Sequence, residues 1–321
     1  MNSFLNPHHL AKLEGLQLRA RKIVEGFMAG PHRSPYRGFS TEFAEHRPYV
    51  PGDEIRYVDW KVFGRTDKYY VKQFVDETNL VCYLVLDVSA SMHYQGPAAP
   101  LSKLEYAQCL AASLAWIVLN RHDAVSLTTY DEVVRTSLNP SSSATHLEPI
   151  LRVLQSNPRS TNTRGGPLFH ELAERFQKRG IVIILSDCID DLAPFSAGLK
   201  HLRHRQHEVA LLQVLDPAEL DFPFTQRMRF LDLEQEPGVI TDPQTVRSAY
   251  LSEFQAFRDS LRNHCSQQSI DYTLVRTDSA LDTVLSRFLV ERGSDHRSAT
   301  TPQNSRAADG RGGPRPRTSI S

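Results

Sequence analysis

The chain has 321 residues, of which 40% are apolar and 9% aromatic, enough for a sizeable core and too much for a wholly disordered polymer. Its 37 Lys and Arg balance 37 Asp and Glu, which excludes a protein that holds nucleic acid or an anionic membrane chiefly through its global field. That length fits one large domain or two modest ones.

Residues 10–28 carry Leu10, Leu13, Leu16, Ile23, Val24 and Phe27 among Lys, Arg and Glu, the spacing of an amphipathic helix, and Gly30-Pro31 ends it. Residues 31–78 are rich in Pro, Gly, Arg, aromatics and acids without a long periodic segment, so short strands and turns are predicted there. After residue 80, apolar strands alternate with helical stretches, the pattern of a parallel sheet with crossover helices. The strand over 81–86 is almost entirely apolar, as expected when both faces are covered. A helix over 103–119 is apolar on most sides and should be deeply buried. Strands follow over 124–129 and 133–136, then helices over 146–154 and 168–177, the latter with Gly180 as its C-cap. The remaining predictions are a strand over 181–185, a helix over 192–204, a strand over 208–215, an edge strand over 230–233, a helix over 248–268, a strand over 271–275 and a helix over 281–288. From 293 to 321 aromatics vanish, and five Arg against two Asp give a disordered tail of net charge +3. The expected fold is α/β, Rossmann-like, with a mainly parallel sheet. The expected units are an N-terminal helix (1–30), a β-rich segment (31–78), the main domain (79–292) and the tail (293–321).

Cys82, Cys109, Cys188 and Cys265 lack any C-x-x-C pair or zinc-ribbon spacing and read as reduced, buried thiols of a cytoplasmic protein. The N-terminus has no apolar run of roughly 7 to 15 residues such as a signal peptide needs. The longest apolar run, 109–119, covers about half of the roughly 20 residues of a membrane helix, so no membrane insertion is expected.

The strongest chemical signal is VCYLVLDVSASM, an apolar strand that runs directly into Asp87, Ser89 and Ser91. In an open α/β sheet, ligands bind beyond the carboxyl ends of the strands. One carboxylate and two hydroxyls spaced two apart can converge there as oxygen ligands for a hard cation, and Mg²⁺ suits them, with Mn²⁺ as an alternative. Ser186-Asp187 ends a second buried strand in the same way. Between them lies a polar loop in which Thr161 or Thr163 can offer another hydroxyl.

Asp87-x-Ser89-x-Ser91, a threonine about seventy residues on and an aspartate one hundred residues on resemble the metal-ion-dependent adhesion site of von Willebrand factor type A domains. The resemblance covers roughly residues 79–289. It implies Ser89 and Ser91 as direct ligands, Thr161 as the third hydroxyl, and Asp87 and Asp187 as the source of charge. A second resemblance covers the preceding region. Residues 38–60 (GFSTEFAEHRPYVPGDEIRYVDW), then Arg65 and YVKQF at 70–74, are similar to the signature of the bacterial domain of unknown function 58 family. That family joins such a segment to a type A-like domain and is similar in organisation to partners of MoxR-type AAA+ ATPases. Residues 31–78 contain eight basic and eight acidic side chains, so Arg47, Asp53, Arg56, Asp59, Arg65 and Lys72 can pair internally around Tyr49, Tyr57 and Trp60.

His201, His204 and His207 have spacings that invite a metal claim, but Arg203 and Arg205 lie among them, and a solvated basic helix end is expected. There is no Gly-Lys pair and hence no Walker loop, and no G-x-S-x-G elbow. The sequence expectation is therefore a non-enzymatic binding module presenting Mg²⁺ to an acidic residue of a client or a MoxR-type ATPase. The alternative is a magnesium-dependent phosphohydrolase with Asp87 as nucleophile. The second Asp of the Asp-x-Asp phosphatase pattern is Ser89 here, which removes its general acid/base.

Overall fold

The structure is a computed structural model that describes residues 15–29, 43–49, 59–74, 81–156, 166–189, 191–230 and 239–299. Helix α1 (Leu16–Ala29) overlaps the helix expected over 10–28, of which residues 10–14 lie outside the described ones. The signature region forms a two-stranded antiparallel ribbon of β1 (Phe43–Pro48) and β2 (Tyr70–Phe74), with a short helix α2 (Trp60–Thr66) before β2. That helix is absent from the sequence expectation, because fewer than two turns leave no amphipathic period to read. Asp59 starts it, accepting the Val62 N–H at 3.2 Å. Arg47 and Lys72 lie on facing strands, whereas Asp53, Arg56 and Tyr57 lie outside the described residues.

A six-stranded sheet follows, built from β3 (Val81–Asp87), β4 (Ala124–Tyr130), β5 (Val134–Ser141), β6 (Gly180–Ser186), β7 (Glu208–Leu215) and β10 (Asp271–Arg276). Its order is β10-β7-β6-β3-β4-β5, parallel throughout except for the β4–β5 pair. Between the strands run α3 (Lys103–Asn120), α4 (Leu147–Gln155), α5 (Gly166–Arg175), α6 (Leu192–His204), α7 (Pro217–Asp221) and α8 (Pro243–Gln267), and α9 (Leu281–Ala299) follows β10, running past the helix expected over 281–288 and into the segment expected as a disordered tail from 293. A separate ribbon pairs β8 (Met228–Phe230) with β9 (Val239–Thr241). The segment expected as an edge strand thus contributes to this ribbon, and its later residues lie outside the described ones.

All seven residues of β3 are buried, and their alternation divides the core. Cys82, Leu84 and Leu86 face one cluster with α1, α3, α4 and α9, while Val81, Tyr83 and Val85 face another with α5, α6 and α8. Helices therefore cover both faces of the sheet. Cys82 and Cys188 belong to opposite clusters and do not meet, and all four thiols are buried with no disulfide among them. Helix α3 begins with a capping box, in which Ser102 accepts the Glu105 N–H and Glu105 accepts the Ser102 N–H. Each fully buried leucine of α3, such as Leu104 or Leu110, contributes about 2 kcal/mol.

Two expectations about punctuation fail. Gly180 does not cap α5, which ends at Arg175; it opens β6, where an added Cβ would fall on the Val81 carbonyl. His207 is not solvated. It is buried edge-on against Tyr83 and Phe176, and burial lowers its pKa although the Phe176 and Gly180 carbonyls oppose the shift. His201 faces His170 across α5 and α6, its Nδ1 lying 3.0 Å from the other, and its Nε2 approaches Glu174 at 3.2 Å.

Candidate metal centre at the carboxyl ends of the central strands

Because β3 and β6 are parallel neighbours, with Leu86 opposite Leu185, their carboxyl ends bring Asp87 and Ser186 side by side. Ser186 Oγ donates to Asp87 Oδ2 at 2.7 Å, and the Ser89 N–H donates to Asp87 Oδ1 at 2.9 Å. The loop over the strand end then brings Ser89 Oγ within 3.1 Å of Ser91 Oγ. Asp87 and Ser89 are buried, whereas Ser91, at the start of a short 3₁₀ turn (Ser91–His93), is half-buried and opens the cluster to solvent. Four of the five anticipated ligands, Asp87, Ser89, Ser91 and Asp187, thus meet at one end of the sheet. Thr161 and its competitor Thr163 lie outside the described residues.

The arrangement also contains a cation that the motif did not announce. Lys103 is buried at the first turn of α3, and its Nζ lies 2.8 Å from Asp187 Oδ2 and 2.6 Å from Glu219 Oε1. Asp187 Oδ1 accepts the Ile189 N–H at 3.2 Å, and Gln213 Nε2 holds the Asp187 carbonyl at 2.9 Å. Glu219 belongs to α7, where Asp216 and Glu219 form a second capping box. Asp216 also accepts the Gly96 N–H at 2.8 Å, a contact so close that any Cβ at Gly96 would collide with the carboxylate. The expectation that Asp87 and Asp187 alone set the local charge therefore needs correcting. Asp87, Asp187 and Glu219 against Lys103 leave a net −2 when all are ionised.

A buried net charge of that size is costly without compensation. Burial first, and the nearby Asp187 carboxylate second, push the Asp87 carboxyl up to about 7, against the bonds from Ser186 and Ser89 that hold it down. Burial alone would lower the Lys103 ammonium, but Asp187 and Glu219 outweigh it and raise the group above its usual range. Burial raises Glu219 as well, opposed by Lys103. The cluster has one internal cation for three carboxylates, so a proton or an external cation must supply the rest.

The donors present fit a hard divalent ion. Oxygens about 2.1 Å from Mg²⁺ and at right angles stand about 3.0 Å apart, close to the Ser89–Ser91 separation. Among the described residues no group of three His, Cys, Asp or Glu side chains is arranged to hold a metal. Lys103 was missed because it reads as an ordinary polar start to an apolar helix. A signal existed: a lysine in a first helical turn opposes the helix dipole and needs carboxylates nearby. A second signal lay in the strand endings, since Asp131 and Asp216 follow β4 and β7 as Asp187 follows β6.

The fold and this cluster define an α/β domain with a charged, hydroxyl-lined site beyond the carboxyl ends of its middle strands. The chain belongs to the family described as "Protein of unknown function DUF58", whose model matches residues 45–260. Uncharacterized proteins of Mycobacterium bovis and of Mycobacterium tuberculosis are each 27% identical over 240 residues, covering 74% of this chain and 74% of theirs. Among solved structures, a conserved hypothetical protein BatB from Bacteroides thetaiotaomicron superposes with a TM-score of 0.43 at 14% identity, over 67% of this chain and 99% of that one. An aerotolerance-related membrane protein from Bacteroides fragilis gives 0.44 at 13%, over 67% and 99%. No described helix of the present chain is long and apolar enough to cross a membrane.

Proposed function

We propose that this chain is a metal-dependent protein-binding module with a von Willebrand factor type A-like domain, in which Asp87, Ser89, Ser91, Asp187 and Thr161 hold Mg²⁺. The carrying observation is the pair of seryl hydroxyls 3.1 Å apart beside the buried Asp87, in a cluster short of positive charge. Mg²⁺ or Mn²⁺ bound there would supply an open coordination position for a carboxylate. The chain's own residues do the rest: Ser186 and the Ser89 amide orient Asp87, Lys103 orients Asp187, and half-buried Ser91 leaves a path from solvent. An Asp or Glu of a client, or of a MoxR-type AAA+ ATPase as the family resemblance implies, is the expected visitor, in assembly or maturation of that client in the cytoplasm.

The burial of Asp87 disfavours the phosphohydrolase alternative. Both of its oxygens already accept hydrogen bonds, from Ser186 and from the Ser89 amide, which leaves neither free to attack phosphorus. The test is capture of a MoxR-type ATPase from the same organism by the immobilised full chain. Capture in millimolar Mg²⁺, lost in EDTA and in Asp87→Ala, is the expected result. Capture undiminished by EDTA overturns the reading, and so does phosphate-ester turnover that Asp87→Asn abolishes.

A further inference from the structure

The outer margin of the sheet carries a different kind of site. Strand β10 pairs only with β7 among the described residues, which leaves one side of its backbone open. The Thr277 N–H bonds the Leu215 carbonyl. By the two-residue alternation of a strand, the N–H and C=O groups of 271, 273 and 275 also point toward β7, and those of Tyr272, Leu274 and Arg276 point outward. A groove of about 440 Å³ runs along that outward side. Helix α8 forms one wall through Gln255, Arg258 and Arg262, and α9 forms the other through Thr283 and Arg287. The two helices belong to opposite faces of the sheet, so the groove is the slot at its rim.

The lining holds four arginines, Arg258, Arg262, Arg276 and Arg287, against one acid, Asp259. Arg276 is engaged by Asp221 and Asp278, each at 3.0 Å, and the balance of the remainder is still positive. Arg258 lies over the Phe254 ring, and its Nε is buried without an acceptor among the described residues. A buried guanidinium donor left open is a cost that an arriving acceptor removes. An open strand edge offers main-chain hydrogen bonds to an added strand, the slot between the helices takes its alternate side chains, and guanidinium groups favour carboxylates among them.

We propose that β10 is a docking edge for an extended acidic peptide of a partner protein, which adds as a seventh strand and places carboxylates against Arg258 and Arg262. The main chain of the guest pairs with the outward groups of Tyr272, Leu274 and Arg276. Its alternate side chains point to α8, where the arginines discriminate for Glu or Asp. The segment that follows α9, net +3 over 300–321, is the wrong sign to fill the slot. Single-stranded nucleic acid would match the charge but not the alternating donors and acceptors of a strand edge. The family match ends at residue 260, so β10, α9 and Arg262 lie beyond the part shared by that model.

The probe is a fluorescein-labelled octapeptide alternating Glu and Val, read by anisotropy with the full chain. Controls are the same peptide with Lys for Glu, and one N-methylated on alternate residues so that it cannot pair. Saturable binding at least tenfold tighter than either control is expected, with slowed hydrogen exchange at 272, 274 and 276. Arg262→Glu, on an exposed side chain, should weaken binding about tenfold, and Arg258→Glu with it should abolish binding. The proposal is overturned if the N-methylated peptide binds equally well, if the Glu peptide shows no saturation, or if labelled oligo-dT binds without protecting those amides.

Discussion

Two charged regions of this molecule obey opposite rules. Above the middle of the sheet, Lys103, Asp187, Glu219 and Asp87 are almost wholly withdrawn from water, and each has partners at hydrogen-bond distance. At the margin, the arginines along β10 hold a surplus of one sign, which water and salt can screen. Burial makes charge a matter of folding in the first region. Exposure leaves it for binding in the second.

The sharpest break in that comparison is Lys103→Met. Removing the cation leaves Asp187 and Glu219 buried and uncompensated, a change that costs about 3–5 kcal/mol. Urea denaturation in EDTA should show that loss, and Mg²⁺ should restore part of it. A variant within about 1 kcal/mol of the parent would mean the triad does not carry the site's structure.

Next in size is the response to metal itself. With free Mg²⁺ at about a hundred times its dissociation constant, binding stabilises the native state by roughly 2.7 kcal/mol. Asp87→Asn keeps the shape of the carboxylate and should abolish that shift in thermal melts. If the melts of parent and variant rise equally with Mg²⁺, the ion binds elsewhere.

Much of this was legible in advance, for identifiable reasons. Strands such as 81–86 and 181–185 announced themselves because residues covered on both faces must be apolar, and Asp87 and Asp187 stood out where those runs stop. The helix Trp60–Thr66 was too short to show a period. Gly180 was misread because a glycine between helix and strand serves either a cap or a close approach, and only the position of the Val81 carbonyl decides. Lys103 pairs with Asp187 across 84 positions and with Glu219 across 116, and nothing local in the chain announces such contacts.

The effect of pH sharpens the same contrast at smaller amplitude. Asp87 has a reference value of 3.8 and a folded value of about 7, so between those limits the folded state holds more protons than the unfolded one. Its contribution to stability is present in full below about 3.8 and is lost as pH rises through about 7. In EDTA, the stability of the parent minus that of Asp87→Asn should therefore fall as pH is raised from 4 to 7.5. A flat difference would place the carboxyl near its ordinary value. Arg262 at the margin faces water, and its substitution should leave this curve unmoved.

Ser91→Ala gives the smallest change and the cleanest separation of fold from site. The hydroxyl is half-buried, and its bonding partner here is Ser89, so the folded chain should lose no more than about 1 kcal/mol. Metal binding should lose more in proportion, since one neutral ligand is removed from a hydroxyl-rich set, and calorimetric titration with Mn²⁺ should show affinity about tenfold weaker. Arg262→Ala serves as the matched control from the other region. It should be within about 0.5 kcal/mol of the parent in stability and identical in metal affinity. Equal loss of Mn²⁺ affinity in both variants would mean that the two regions are coupled, and that the division between a folded charge cluster and a screened one is false.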